Sequence, residues 1–257
     1  MTPPVTLIVT PDRTRATFRL FHPKGNIITL EMIEALAEGL VALGGETHLK
    51  LITIEGDGED FSFGASIPEH APGEIERVLP EAHRLTLALL DAPAPTAAVV
   101  RGRCFGGGFE IALACDLIFA SQSATFGLPE VALGVFPPAA AALLPHRVGT
   151  ARATRAILSG ASTSAADWHL AGLVEVVVAD SDLDQTIDRW FAGHLAPKSA
   201  SALRYAARAA RATLQRQVAA ILPELERLYL NDVMRTQDAR EGLAAFLEKR
   251  VPHWTDA

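Results

Sequence analysis

Hydrophobic and polar residues change rhythm several times along this chain, and each rhythm predicts an element. Residues 5–10 and 15–21 are short apolar-rich runs; in the second, Ala16, Phe18 and Leu20 alternate with Thr17 and Arg19. Alternation at period two buries one face, so both predict strands, with Pro11-Asp12-Arg13 turning between them. From Thr29 the period lengthens, with Met32, Leu36 and Leu40 four apart. That spacing predicts a helix to about Leu43, capped by Thr29 and ended by Gly44-Gly45. Residues 48–55 alternate again as a strand, and residues 74–90 are helical by period. Residues 67–73 between them carry proline and charge and predict a mobile loop. Residues 96–100 form a short apolar run after a proline, the pattern of a buried strand.

The second half reads differently. Residues 139–144 are small and apolar and end at Pro145. Residues 151–158, 164–170 and 182–194 predict helices, and residues 175–178 a late strand. No strand pattern follows. Residues 199–220, 223–235 and 238–249 all read as helix. The expected organisation is an α/β unit over residues 1–195 and a helical region over residues 196–257.

Composition narrows the class. With 257 residues the chain is long enough to bury a substantial core. A net charge of −7 argues against nucleic acid or an anionic membrane as the main partner. The two cysteines, Cys104 and Cys115, form no C-x-x-C pair, and no metal-ligand cluster stands out. Two reduced thiols, no signal-peptide pattern at the start and no apolar run of membrane-spanning length lead to the expectation of a cytoplasmic protein.

Residues 94–138 carry the chemistry. The strand at 96–100 leads through residues 101–105, which break the run, to Gly106, Gly107 and Gly108. Residues 109–115 then predict a short helix with Ile111, Leu113 and Ala114 toward the core. A strand, a glycine turn and a helix N-terminus aim unpaired N–H groups and a favourable dipole at an anion. Residues 61–66, Phe-Ser-Phe-Gly-Ala-Ser, resemble a second device of this kind. Glu110, between Phe109 and Ile111, and Glu130, between Pro129 and Val131, sit in apolar surroundings, unusual for glutamate. Each feature also has a plain structural reading: tight packing for the glycines, the helix dipole for Glu110, a solvated loop for Glu130. No Lys-Ser/Thr follows the glycines and the G-x-G-x-x-G spacing is absent, so a P-loop is excluded and a dinucleotide fingerprint unsupported. His70, beside Glu69, is the one histidine to follow, with a surface role as its plain reading. Arg204, Arg208, Arg211 and Arg216 read mostly as one solvated helix face.

Four stretches together resemble the enoyl-CoA hydratase/isomerase (crotonase) superfamily. Residues 61–66 resemble its F-S-x-G-A-D loop, and residues 102–116 its G-x-x-x-G-G-G-x-E-L-A-x-x-C-D segment. Residues 124–130 resemble its A-x-F-x-x-P-E segment, and residues 241–250 its closing E-G-x-x-A-F-x-E-K-R. The resemblance implies an α/β fold, a crotonase-like spiral of ββα repeats with a C-terminal helical trimerisation region. It implies a homotrimer or a homohexamer built as a dimer of trimers. It implies an acyl-CoA thioester substrate, with no cofactor beyond the coenzyme A that the substrate carries. The backbone N–H groups of Ala65 and Gly107 become an oxyanion hole, and Glu110 and Glu130 the two acids of a hydratase. Lys24, Ser66, Ile67, Pro68, Gly108, Pro138 and Lys249 are the expected contacts to substrate or coenzyme A. Ser66 departs from the family's Asp. Pro137-Pro138-Ala139-Ala140-Ala141 replaces its P-G-A-G-G and is expected to stiffen or narrow the acyl wall. Residues 22–28, Phe63 and the closing E-K-R-V-P-H-W are similar to those of alicyclic dienoyl-CoA hydratases. A double-bond isomerase on the same fold and a non-catalytic acyl-CoA-binding protein are the competing expectations.

Overall fold

The computed structural model describes residues 2–257. The two alternating runs form an antiparallel hairpin, β1 (Val5–Val9) with β2 (Arg15–Leu20), Leu7 opposite Phe18. Period two turns Ala16, Phe18 and Leu20 inward, and all three are buried. Thr29 caps α1 (Leu30–Ala42) by accepting the Met32 N–H at 3.3 Å. β3 (Leu51–Gly56) then pairs parallel with β2. α2 (Ile75–Leu90) crosses to β4 (Thr96–Val100), parallel to β3 and buried at every residue. That is the expected state of a parallel strand covered on both faces.

β5 (Arg103–Phe105) enters α3 (Gly107–Ala114), followed by β6 (Leu117–Ser121) and β7 (Thr125–Gly127). A 3-10 turn over Pro129–Leu133 precedes α4 (Pro138–Val148) and α5 (Thr150–Ser159). β8 (Thr163–Ser164), α6 (Ala165–Leu170), β9 (Val176–Val178) and α7 (Leu183–His194) complete the α/β part. One sheet has the order β1-β2-β3-β4-β6-β9, and β5-β7-β8 form a small second sheet. Phe109 of α3 packs between Phe126 (centroids 5.1 Å apart) and Trp168 (5.9 Å), tying α3 to the second sheet and to α6.

α8 (Ala200–Arg227) continues through a π-helical turn, Leu228–Asp232, and a 3-10 turn to α9 (Gln237–Glu248). Pro145, where the sequence ends a small apolar run, and Pro223, where it opens a new helix, both lie inside helices, α4 and α8. In α8, buried Val218 and Leu222 anchor the face that runs into Pro223. Their packing outweighs the ~3 kcal/mol that an interior proline costs. Arg211 also departs from the expected solvated face. It is 4% exposed, bonds Asp116 through Nε at 2.7 Å, and donates to Ala92 O and Ala94 O, both at 2.8 Å. Asp116 in turn accepts the Thr96 N–H at 2.8 Å, so one buried pair pins α8 to the start of β4. α9 presses on the Pro129–Leu133 turn: a Cβ on Gly242 would stand 2.2 Å from Leu133 O. Only glycine allows that approach. Among the described residues, no helix is long and apolar enough to cross a membrane.

Candidate active site

Gly106 turns β5 into α3 at φ +49, and a Cβ there would lie 2.8 Å from Glu130 Oε1. The glycine thus makes the turn and leaves room for the carboxyl group. Its carbonyl accepts the Glu110 N–H at 2.9 Å, which sets Glu110 in the first turn of α3. Gly107, the first residue of α3, has no acceptor for its N–H among the described residues. Ala65 is bracketed by Ile28: the Ile28 N–H donates to Gly64 O and the Ser66 N–H to Ile28 O, both at 2.9 Å. That ladder leaves the Ala65 N–H without an acceptor among the described residues. A Cβ on Gly107 would lie 3.5 Å from both Ala65 N and Ala65 Cβ, so the two free donors are neighbours.

Both donors open on a cavity of about 80 Å³ that Glu110 and Glu130 also line. Its apolar wall includes Ile28, Val78, Leu79, Phe136 and Tyr229. The two carboxyl groups are held differently. Glu110 Oε1 accepts the Ala140 N–H at 2.9 Å, and the Ala139 N–H also favours its charge; both belong to the first turn of α4. Burial raises Glu110 above the ordinary carboxylate range, and those two N–H groups oppose the rise. Glu130 Oε2 is buried without a partner among the described residues. Burial, and then the negative charge of Glu110, push Glu130 up to about 8. Glu130 therefore keeps its proton near pH 7, while the two N–H groups favour charge on Glu110. Buried Tyr229 is held above its ordinary value by desolvation and by both carboxylates, so its hydroxyl keeps its hydrogen.

Ala65, Ser66, Gly107, Glu110, Glu130 and Pro138 all line this cavity. Ile67 and Pro68 open the adjacent 3-10 turn, Ile67–His70; Ile67 packs toward the Tyr229 cluster and Pro68 is exposed. Gly108 faces Ser62 instead: a Cβ would meet Ser62 Cβ at 2.5 Å, so this glycine lets α3 pack closely. Lys24 and Lys249 are exposed and stand outside the cavity wall. The segment read as a mobile loop is tied down. Glu69 accepts the Leu30 N–H at 3.0 Å, and His70 Nδ1 lies 2.9 Å from Ser66 O. Both line the cavity, so His70 is a wall residue rather than a surface one. The sequence pattern missed Tyr229, His83 and the Ala140 N–H. Only His83 leaves a trace, a titratable ring at a helical position whose neighbours Val78, Leu79, Thr86 and Leu90 face inward.

The sequence profile of the enoyl-CoA hydratase/isomerase family matches residues 14–257. The chain belongs to that family. It is 42% identical over 243 residues to a cyclohexa-1,5-dienecarbonyl-CoA hydratase of Thauera aromatica, covering 95% of this chain and 93% of the relative. It is 34% identical over 229 residues to a 2,3-dehydroadipyl-CoA hydratase of Escherichia coli K12, covering 88% and 89%. An enoyl-CoA hydratase crystal structure from Mycobacterium avium subsp. paratuberculosis superposes with a TM-score of 0.87 at 29% identity, over 98% of this chain and 99% of that one. The crotonase-like fold expected from the sequence is thereby established. The expectation for residues 137–141 needs refinement. Pro137, Pro138 and Ala139 do line the cavity, but the same segment also supplies the backbone donor for Glu110.

Proposed function

We propose that the enzyme adds water across the C=C bond of a 2-enoyl-CoA thioester, with a cyclic dienoyl-CoA as the preferred class. The observation that carries this reading is the unequal glutamate pair beside two neighbouring free N–H donors. Ala65 and Gly107 hold the thioester oxygen as it becomes an enolate, each donor being worth about 3 kcal/mol by analogy with other oxyanion holes. Glu110, ionised, takes a proton from water as the hydroxyl bonds to Cβ. Glu130, protonated, delivers its proton to Cα. The pair ends with its proton moved from Glu130 to Glu110, and one transfer between them restores the starting state. Positioned acid–base groups contribute about 10²–10⁴-fold each. An isomerase needs one main base; two carboxyl groups held in opposite states suit hydration better. The chemistry calls for no metal or redox group, and coenzyme A arrives with the substrate.

The alicyclic preference is supported by the Thauera aromatica relative and by the proline-stiffened wall at Pro137-Pro138. Beyond Ser66 and the turn at Ile67 and Pro68, the coenzyme's phosphates extend toward cations, Lys24 from this chain and Lys249 from a neighbouring copy. A trimer, alone or doubled to a hexamer, is supported by the exposed Leu228, Phe246, Leu247, Val251 and Trp254 of the tail. The two buried free thiols, Cys104 and Cys115, support the cytoplasm as the compartment. The test is loss of the conjugated enoyl-thioester absorbance with crotonyl-CoA and cyclohexa-1,5-diene-1-carbonyl-CoA side by side, in water enriched in ¹⁸O. Label in the product with a preference for the ring substrate is expected. A shifted double bond without label would overturn hydration.

A further inference from the structure

Among the polar groups of the cavity wall that hydration does not use, His83 stands out. His83 sits on α2 and lines the wall together with Val78, Leu79, Ala82 and Thr86. It is 5% exposed. Its Nδ1 lies 2.8 Å from Oε2 of Glu226, in the last turn of α8. A carboxylate only accepts hydrogen bonds, so Nδ1 carries the hydrogen. Nε2 is then a bare acceptor, and it is buried without a partner among the described residues. Burial lowers the pKa of this imidazole despite the opposing pull of Glu226, which keeps the ring neutral. Thr86, the nearest hydroxyl along the helix, is committed: its Oγ1 donates to Ala82 O at 3.0 Å. A wall that met only hydrocarbon would be better served by leucine, because a buried acceptor left unmatched is destabilising.

We propose that His83, oriented by Glu226, is a specificity-determining residue that accepts a hydrogen bond from a hydroxyl on the acyl group, beyond the carbon pair that is hydrated. The inference rests on the acyl-CoA reading above and adds to it that an enoyl-CoA thioester, linear or cyclic, is preferred over its plain counterpart when its acyl group carries a hydroxyl. A carboxylate or ketone at that place would meet an acceptor with an acceptor. An ammonium group would lose its water for a single neutral partner. A hydroxyl donates one hydrogen bond, which is what the bare nitrogen lacks.

The experiment compares matched thioesters on the intact protein: hex-2-enoyl-CoA against its 4-, 5- and 6-hydroxy derivatives, and cyclohex-1-enecarbonyl-CoA against its 4-hydroxy derivative. The readout is the ratio of kcat/KM, hydroxylated over plain, within one preparation, so partial unfolding leaves it unmoved. In the wild type at least one hydroxyl position should raise kcat/KM about tenfold or more, mainly through KM. His83→Leu should bring that ratio to one or below. His83→Gln, which keeps an acceptor, should retain part of it. Glu226→Leu, which frees the ring to carry its hydrogen on either nitrogen, should lower it severalfold. A wild-type ratio near one at every position means that water fills the place and overturns the inference, as does a ratio that survives His83→Leu. Hydration of the plain thioesters in the same runs would leave the hydratase reading standing in either case. A wild type inert on every thioester overturns both.

Discussion

Replacing Glu130 by Gln should silence the enzyme and make it more stable. The folded chain pushes Glu130 from its ordinary 4.5 up to about 8, first by burial and then by the charge on Glu110. Between those pH values the folded protein keeps a proton that the unfolded chain releases. Stability from this group is therefore complete below about pH 4.5, declines as pH rises, and is lost once pH passes about 8. At roughly 1.4 kcal/mol per pH unit, the native state gives up about 3 kcal/mol at pH 7 and at most about 5 kcal/mol above pH 8. Gln fills the same space and carries no charge at any pH, so the variant escapes that loss. For a chain of this size 1 kcal/mol moves the melting temperature by about 2–4 °C, so the variant should melt about 6–12 °C higher at pH 7. The assay is thermal unfolding of both proteins at pH 5 and pH 8. The gap between them should be small at pH 5 and wide at pH 8, while hydration falls about 10²–10⁴-fold. An equal gap at both pH values, or a variant that melts below the wild type at pH 8, would refute the raised acid.

Four further outcomes follow from the same geometry. Glu110→Gln should lower kcat by about 10²–10⁴-fold with little change in KM, because the base acts in the transition state; steady-state kinetics on any turned-over enoyl-CoA checks this. Wild-type kcat/KM should fall as pH rises through about 8, where Glu130 loses its proton, and should fall on the acid side at a pH above the usual carboxylate range, where Glu110 gains one. Gly107→Ala places a methyl 3.5 Å from Ala65 N, against the second donor. It should cut kcat at least about 10²-fold and leave the melting temperature within a few degrees. Arg211→Leu strands Asp116 and two carbonyls at the α8 junction and should destabilise the fold by about 3–5 kcal/mol, read by denaturant unfolding.

Long periodic segments were legible in the sequence; short paired ones were not. The α1 stripe of Met32, Leu36 and Leu40 and the β2 alternation both carry their own geometry, and both fold as their periods predict. β5, β7 and β8 have two or three residues each and exist because they pair with one another, with Cys104 opposite Phe126 and Phe126 opposite Thr163. No local pattern encodes such pairing. β6 is hidden for another reason. As a central strand it is apolar on both faces, so Leu-Ile-Phe-Ala-Ser shows no alternation and follows directly on a short apolar helix. The site shows the same division. The glycines and glutamates could be named because their types and spacings are unusual. The pairing of Arg211 with Asp116 and of His83 with Glu226 joins residues 95 and 143 positions apart, and a row of arginines on one helix gives no sign of which one is buried.

The Pro137-Pro138 departure bears on the acid–base split as well as on the pocket wall. Two helices begin at this cavity, and in the proposed reaction each turns first-turn N–H toward a different negative charge. α3 begins at Gly107 and offers its N–H where a thioester oxygen would become an enolate. α4 begins at Pro138, a residue suited to the first helical position because its missing N–H would have been unpaired there. The first N–H groups α4 can offer are those of Ala139 and Ala140, and these are the groups that favour charge on Glu110. Charge on Glu110 is in turn part of what holds the proton on Glu130. The dipeptide that looked like a change in pocket shape thus also fixes the start of the helix whose N–H groups favour charge on Glu110, the split on which the proposed base and acid rest.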